Sequence, residues 1–144
     1  MNVYEYIKKF VNVRLEPSKI DGVGVFALRN IEVGEKLFVE WEGESGEYYM
    51  SSEDLESLDS DVKTHVLNMY GFKKVNELYV VSIILVKNCH WIFKTPLHWV
   101  NSCSWNEEPN FDRETLKTNR FIKKGEEILT KYGKYNKFNR TKTI

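Results

Sequence analysis

The sequence predicts a mainly β domain with one small helical insert, on three observations. The first third breaks into short apolar stretches separated by Gly- and Pro-containing turns, the signature of short strands. Leu78 to Val86 is rich in β-branched residues and too short for a typical helix. Only from Ser51 onward do apolar residues (Leu55, Leu58, Val62, Val66 and Met69) return every three or four positions over a sizeable length.

In order along the chain, Val3, Ile7, Phe10 and Val11 have helical spacing, after which Val11, Val13 and Leu15 alternate with Asn12, Arg14 and Glu16 as in a half-buried strand. Pro17-Ser18 ends that strand. Asp21-Gly22-Val23-Gly24 is a tight turn, "VFAL" resumes the sheet, and Val33-Gly34-Glu35 is a turn within "NIEVGEKLFVEW", so the first third reads as serial antiparallel elements. Ser51 and Asp54 have capping-box spacing, a break falls near Asp59 to Asp61, and Gly71 is the helix stop. A helical insert at about 49–71 follows. Beyond Pro96 come "LHWVN", a Pro109-Asn110 turn, a "TLKTNRFI" strand, the Lys124-Gly125 turn and "EILTKYG". No internal repeat or low-complexity linker interrupts the 144 residues, so one domain is expected.

Bulk properties narrow the function classes. The formal net charge is zero, so no global field draws the chain to nucleic acid or an anionic membrane, and recognition must be local. The longest apolar run is far shorter than the about 18–20 residues of a spanning helix, and "MNVYEYIKKF" has no leader pattern. An intracellular protein is expected, with Cys89 and Cys103 as free thiols.

Three tracts taken in order, "SKIDGVGVFALRNIEVGEKL", "HWVNSCSWNEEPN" and "IKKGEEILTKYG", together resemble the SET-domain family of protein lysine methyltransferases, in its compact stand-alone form of viral or bacterial type. The resemblance covers nearly the whole chain. It implies a fold of small curved antiparallel sheets with a knot-like C-terminal crossing, a single SET domain over residues 1–144, and S-adenosylmethionine as cofactor without a metal. The implied reaction is methyl transfer to a lysine amine in a protein or peptide, histones and chromatin included. The alternative is an inactive SET-like module that binds a lysine-containing peptide.

The resemblance also assigns residues. Tyr132, in "GEEILTKYG", stands at the catalytic tyrosine. Gly22, Val23 and Gly24 form the Gly-x-Gly turn whose backbone approaches the cofactor, with Asn101 matching the first Asn of the family's Asn-His-Ser-Cys motif. His98 and Trp99 occupy the lead-in, and Ser102 replaces the family's His. Asn106 is a competing match, but it lies too near Pro109. Trp41, in "EWEGE", falls where a Tyr often walls the lysine channel, and Tyr135 and Phe138 are candidates for a C-terminal wall or an adenine platform. Tyr132, Tyr135 and Trp41 are thus the expected substrate contacts, and a homodimer is open by analogy with small relatives.

Competing readings are weaker. "GVGVFA" fits a loose dinucleotide-binding pattern, but no helix follows it. Cys89, His90, His98 and Cys103 are close in sequence, yet adjacent Cys and His rarely reach one tetrahedral centre, and no zinc site is expected. His65 reads as a boundary side chain, and a Cys103/His98 hydrolase lacks any visible oxyanion site. The basic tail, "KYGKYNKFNRTKTI", is a solvated segment able to steer an acidic partner.

Overall fold

A computed structural model describes residues 1–70, 72–76, 78–91 and 99–131. Strand exceeds helix, 33% against 20%, in small, mostly antiparallel sheets. Helix α1 (Val3–Phe10) starts where Asn2 accepts the Glu5 N–H at 2.9 Å, with Glu5 in its first turn and Lys8 and Lys9 in its last, complementing the helix dipole. Tyr6 and Ile7 are its buried face.

Strands β1 (Val13–Pro17) and β2 (Val23–Ala27) pair antiparallel from Val13↔Ala27 to Pro17↔Val23. Their turn closes through Ser18 N–H to Gly22 O at 2.8 Å, and Gly22 adopts φ +43°, the backbone region that favours glycine. After this hairpin the expectation of serial antiparallel elements fails. Residues 31–41 make single bridges to distant partners instead, Ile31↔Ile122, Lys36↔Lys117 and Trp41↔Cys89. The cause is turn geometry: Gly34 at φ +79° and Phe38 at φ +60° bend the segment too often for a continuous ladder.

Strand β3 (Gly46–Ser51) was not foreseen; it runs into α2 (Ser52–Glu56) and α3 (Ser60–Met69), so helix begins later than residue 49. Ser51 accepts the Asp54 N–H at 3.1 Å and Asp59 caps α3, which places the break at 57–59. Gly71, the expected stop, lies outside the described residues. Strand β5 (Leu78–Leu85) is the central member of a three-stranded antiparallel sheet, β3-β5-β4, with the unforeseen β4 (Phe72–Val75) on its other edge. The expected "TLKTNRFI" strand is cut to β8 (Lys117–Thr118), paired with β7 (Phe111–Asp112), because Leu116 at φ +61° turns the chain just before it.

The last described ladder is parallel, β6 (Asn101–Ser102) beside β9 (Leu129–Thr130). Two apolar clusters underlie these sheets. One joins α1, the helical insert and the β3-β5 sheet through Tyr6, Val62, Val66, Ile83 and Trp91. The other lies beneath β1, β2, β6 and β9 and includes Val13, Val25, Val100, Phe111 and Ile128. Phe38 packs edge-on to Phe111 at 5.5 Å and to His90 at 5.8 Å, and His90 touches Trp91, so an aromatic chain connects the clusters.

Burial in this chain pushes the His90 imidazole down from 6.5 to about 3. His65, its ring edge-on to Trp91 at 5.0 Å, is shifted in the same direction by burial. Between pH 6.5 and about 3 the unfolded chain therefore binds more protons at residue 90 than the folded one, so stability is full above pH 6.5 and declines as pH falls. Chemical denaturation at pH 7, 5.5 and 4.5 is expected to give falling unfolding free energies. His90→Phe should flatten that decline; an equal slope in both proteins would refute the assignment.

Candidate functional site

The turn between β1 and β2, strand β6 and strand β9 meet at one side chain. The Asn101 amide nitrogen donates to Asp21 O at 3.1 Å, Val23 O at 3.3 Å and Glu127 Oε2 at 2.9 Å. Asn101 is buried, so these bonds form away from competing water. The Ser18 hydroxyl donates to the same carboxylate, at 2.9 Å to Oε1 and 3.0 Å to Oε2. Glu127 thereby ties together residues far apart in sequence.

Asn110 holds the other side of β9. Its side-chain nitrogen donates to Glu127 O at 2.9 Å, its side-chain oxygen accepts Leu129 N–H at 2.8 Å, and its own carbonyl accepts Asn119 N–H at 2.8 Å. Cys103 N–H to Thr130 O at 2.8 Å continues the β6-β9 ladder, and Ile128 N–H to Val25 O at 2.7 Å fixes β9 along β2. The position of the carboxylate, hence of the turn, follows from backbone pairing on both flanks.

This arrangement supplies a reason for glycine at 24 within the protein itself. A Cβ there would collide with the Glu127 carboxylate, lying 2.9 Å from its Cδ and 3.1 Å from Ser18 Cβ. Gly24 is thus required by the protein's own clasp. Gly22 differs: among the described residues no heavy atom lies within 4 Å of where its Cβ would be, so none of them closes its outer side. Val23 is 38% exposed in the turn, and Trp99, two residues before Asn101, is 43% exposed. The Ser102 hydroxyl donates to Cys103 O at 3.1 Å.

Gly22, Val23, Gly24, Asn101 and Ser102 therefore lie around one junction of strands and turn. Trp41 is elsewhere, in the cluster with α1: its indole N–H donates to Glu44 O at 3.0 Å, and Tyr6 and Tyr48 pack edge-on at 5.3 and 5.4 Å. It borders a cavity of about 350 Å³ whose lining includes Tyr6, Phe10, Val39, Glu40 and Glu42. Tyr6 donates its hydroxyl to Val39 O at 2.7 Å, and burial pushes its pKa up, so it stays a neutral donor. His98, Tyr132, Tyr135 and Phe138 lie outside the described residues.

A sequence profile of the SET domain matches residues 22–133, well over half of the chain. The chain belongs to the SET domain family. Members of that family are generally protein lysine methyltransferases, and those enzymes use S-adenosylmethionine. Similar solved structures include a humanized mutant of Chaetomium thermophilum Polycomb Repressive Complex 2, at 22% identity and TM-score 0.39, covering 84% of this chain and 15% of that one. The methyltransferase domain of human PR domain-containing protein 2 matches at 21% identity and TM-score 0.38, over 87% of this chain and 80% of that one. No curated protein matches at the same stringency. Among the described residues, no helix is long and apolar enough to cross a membrane.

Glu127 and Ser18 were missed by sequence reasoning, and Asn110 was marked only as the end of the Pro109-Asn110 turn. Strand alternation places Glu127 opposite the buried Ile128, which reads as a solvated carboxylate, and its partners are 26 and 109 residues away in the chain. The Pro109-Asn110 turn marked the position of Asn110 but not its partners at Glu127 and Leu129. Gly24→Ala is expected to cost about 1–3 kcal/mol, as for overpacking a filled site. In a Glu127→Ala background the same substitution should cost much less, measured by urea unfolding of both single variants and the double variant. Strict additivity would mean that Glu127 is not what excludes a side chain at position 24.

Proposed function

We propose that this SET domain binds S-adenosylmethionine at the Gly22–Ser102 junction and transfers its methyl group to a lysine amine of a protein substrate. The observation that carries the proposal is the Asn101 side-chain amide, which binds the 21–23 turn and Glu127 at once and so unites the family's three tracts. The residues fit the cofactor: the open side of Gly22 leaves room for its amino-acid end, and the exposed indole of Trp99 offers a flat face for adenine. Ser102 contributes from β6. When bound, the cofactor supplies an electrophilic methyl on a sulfonium.

The chain's task is then to bring a lysine amine in neutral and aligned. Free lysine titrates near ~10.4, so the amine must lose its proton on entering the site. An apolar channel disfavours the ammonium by desolvation, and a nearby cation adds to the effect. Trp41 remains a candidate substrate contact: with Tyr6 and Phe10 it lines a cavity rimmed by the exposed Glu40 and Glu42, whose carboxylates attract a basic segment. The Tyr132 hydroxyl orients the amine, and fixing the two reactants in one site can supply several kcal/mol of the barrier, about 7 or more in well-oriented cases. Histones are suitable substrates on charge grounds, because the carboxylates at this cavity favour basic segments.

Calorimetric titration with S-adenosylmethionine, followed by methyl transfer to a histone and lysate panel read by mass spectrometry, tests the proposal. Binding and a mass gain on lysine are expected. Tyr132→Phe should lower transfer by about a hundredfold or more with cofactor affinity within a few-fold of wild type. Absence of cofactor binding with or without peptide would reject the enzyme reading in favour of a peptide-binding module.

A further inference from the structure

The turn that follows β6 presents a tryptophan to solvent on a hydrogen-bonded backbone. Trp105 is 88% exposed, more than any other large hydrophobic residue described. An isolated exposed apolar side chain needs no explanation by itself. This one is braced from both sides: Glu107 N–H donates to Ser104 O at 3.0 Å, Ser104 N–H to Glu107 Oε1 at 3.4 Å, and Lys131 Nζ to Trp105 O at 3.0 Å. Cys103, buried before it, and Asn110, buried after it, anchor the turn to the core. The indole itself makes no hydrogen bond or ring contact among the described residues.

Two further facts define what would meet it. Glu107 and Glu108 are both exposed in the same turn, and Glu108 has no ion pair among the described residues. Lys131, whose ammonium holds the Trp105 carbonyl, immediately precedes Tyr132. The turn is therefore an aromatic face with carboxylates, attached directly to the strand that leads to the reacting end of the site. Such a surface suits a guanidinium or ammonium, which gains both ring attraction and charge complementarity. A turn whose backbone is already braced loses little backbone freedom on docking.

We infer that Trp105, with Glu107 and Glu108, is a docking rim for a basic peptide segment, gripping an Arg or Lys beside the lysine that is methylated. This inference rests on the proposed function for its target lysine, but its binding arm can be tested without turnover. Two labelled peptides are compared, identical except that Arg and Lys flank the central lysine in one and Ser and Gly in the other.

Wild type should bind the basic peptide more tightly, with a preference that weakens as salt is raised. Trp105→Ala should raise the dissociation constant of the basic peptide, and its KM in transfer, about tenfold, while leaving the neutral peptide, kcat and cofactor affinity nearly unchanged. Trp105→Phe should restore part of the loss, and Glu108→Gln should reduce the preference for basic flanks. Equal binding of both peptides by wild type, or an unaltered basic-peptide affinity in Trp105→Ala, overturns the rim. Methyl transfer with an unaffected Trp105→Ala would reject the rim and keep the enzyme, whereas Trp105-dependent binding without any transfer would keep the rim and reject the enzyme. A homodimer that Trp105→Ala dissolves would assign the surface to a second copy and also overturn the inference.

Discussion

The bond from the Asn101 amide to the Glu127 carboxylate, 2.9 Å long, is the constraint on which the site depends. A side-chain amide with two N–H groups is directed at three acceptors, and two of these are the carbonyls of the turn between β1 and β2. The turn contains glycine at 22 and 24 and would otherwise sample many backbone conformations. With Asn101 bound to its carbonyls and Ser18 bound to Glu127, its open side is held in one orientation. An unpaired carboxylate in this half-buried position would be costly, and so would an unpaired Asn101, so each keeps the other in place.

The fold supplies that bond rather than the reverse. Glu127 is positioned because Ile128 pairs with Val25 on one flank and Asn110 holds its carbonyl on the other. Asn101 is positioned by the short parallel ladder with β9. Beneath both lies the cluster of Val13, Val25, Val100, Phe111 and Ile128. The helical insert and the β3-β5-β4 sheet belong to a separate cluster that meets this one through Phe38, His90 and Trp91.

Much of this was legible in the sequence where the signal was local. The 3.6-residue spacing from Leu55 to Met69 marked the helices, the β-branched Leu78–Leu85 run marked the central strand, and "IDGVG" marked the hairpin turn. The turn at Gly34 was legible, but the stretch after it and residues 115–122 read as regular strands and are not, because Phe38 and Leu116 take positive φ values that only three-dimensional packing reveals in non-glycine residues. The site divides in the same way. Gly22, Gly24 and Asn101 were legible through the resemblance of whole tracts, whereas Glu127 looked like one more surface carboxylate, since nothing near it in the sequence names Ser18 or Asn101 as partners. Gly24 has a further reason that the sequence did not show: a group of the protein, the Glu127 carboxylate, excludes its Cβ.

On the function proposed above, the β1-β2 turn and β6 form one preassembled cofactor site joined by Glu127. Amide hydrogen exchange with and without saturating S-adenosylmethionine measures it most directly, since it reports on each tract separately. The account predicts that the cofactor slows exchange in residues 20–24 and 101–103 together, and that Glu127→Ala removes this joint protection. Protection confined to another part of the chain, or none at saturation, would contradict it.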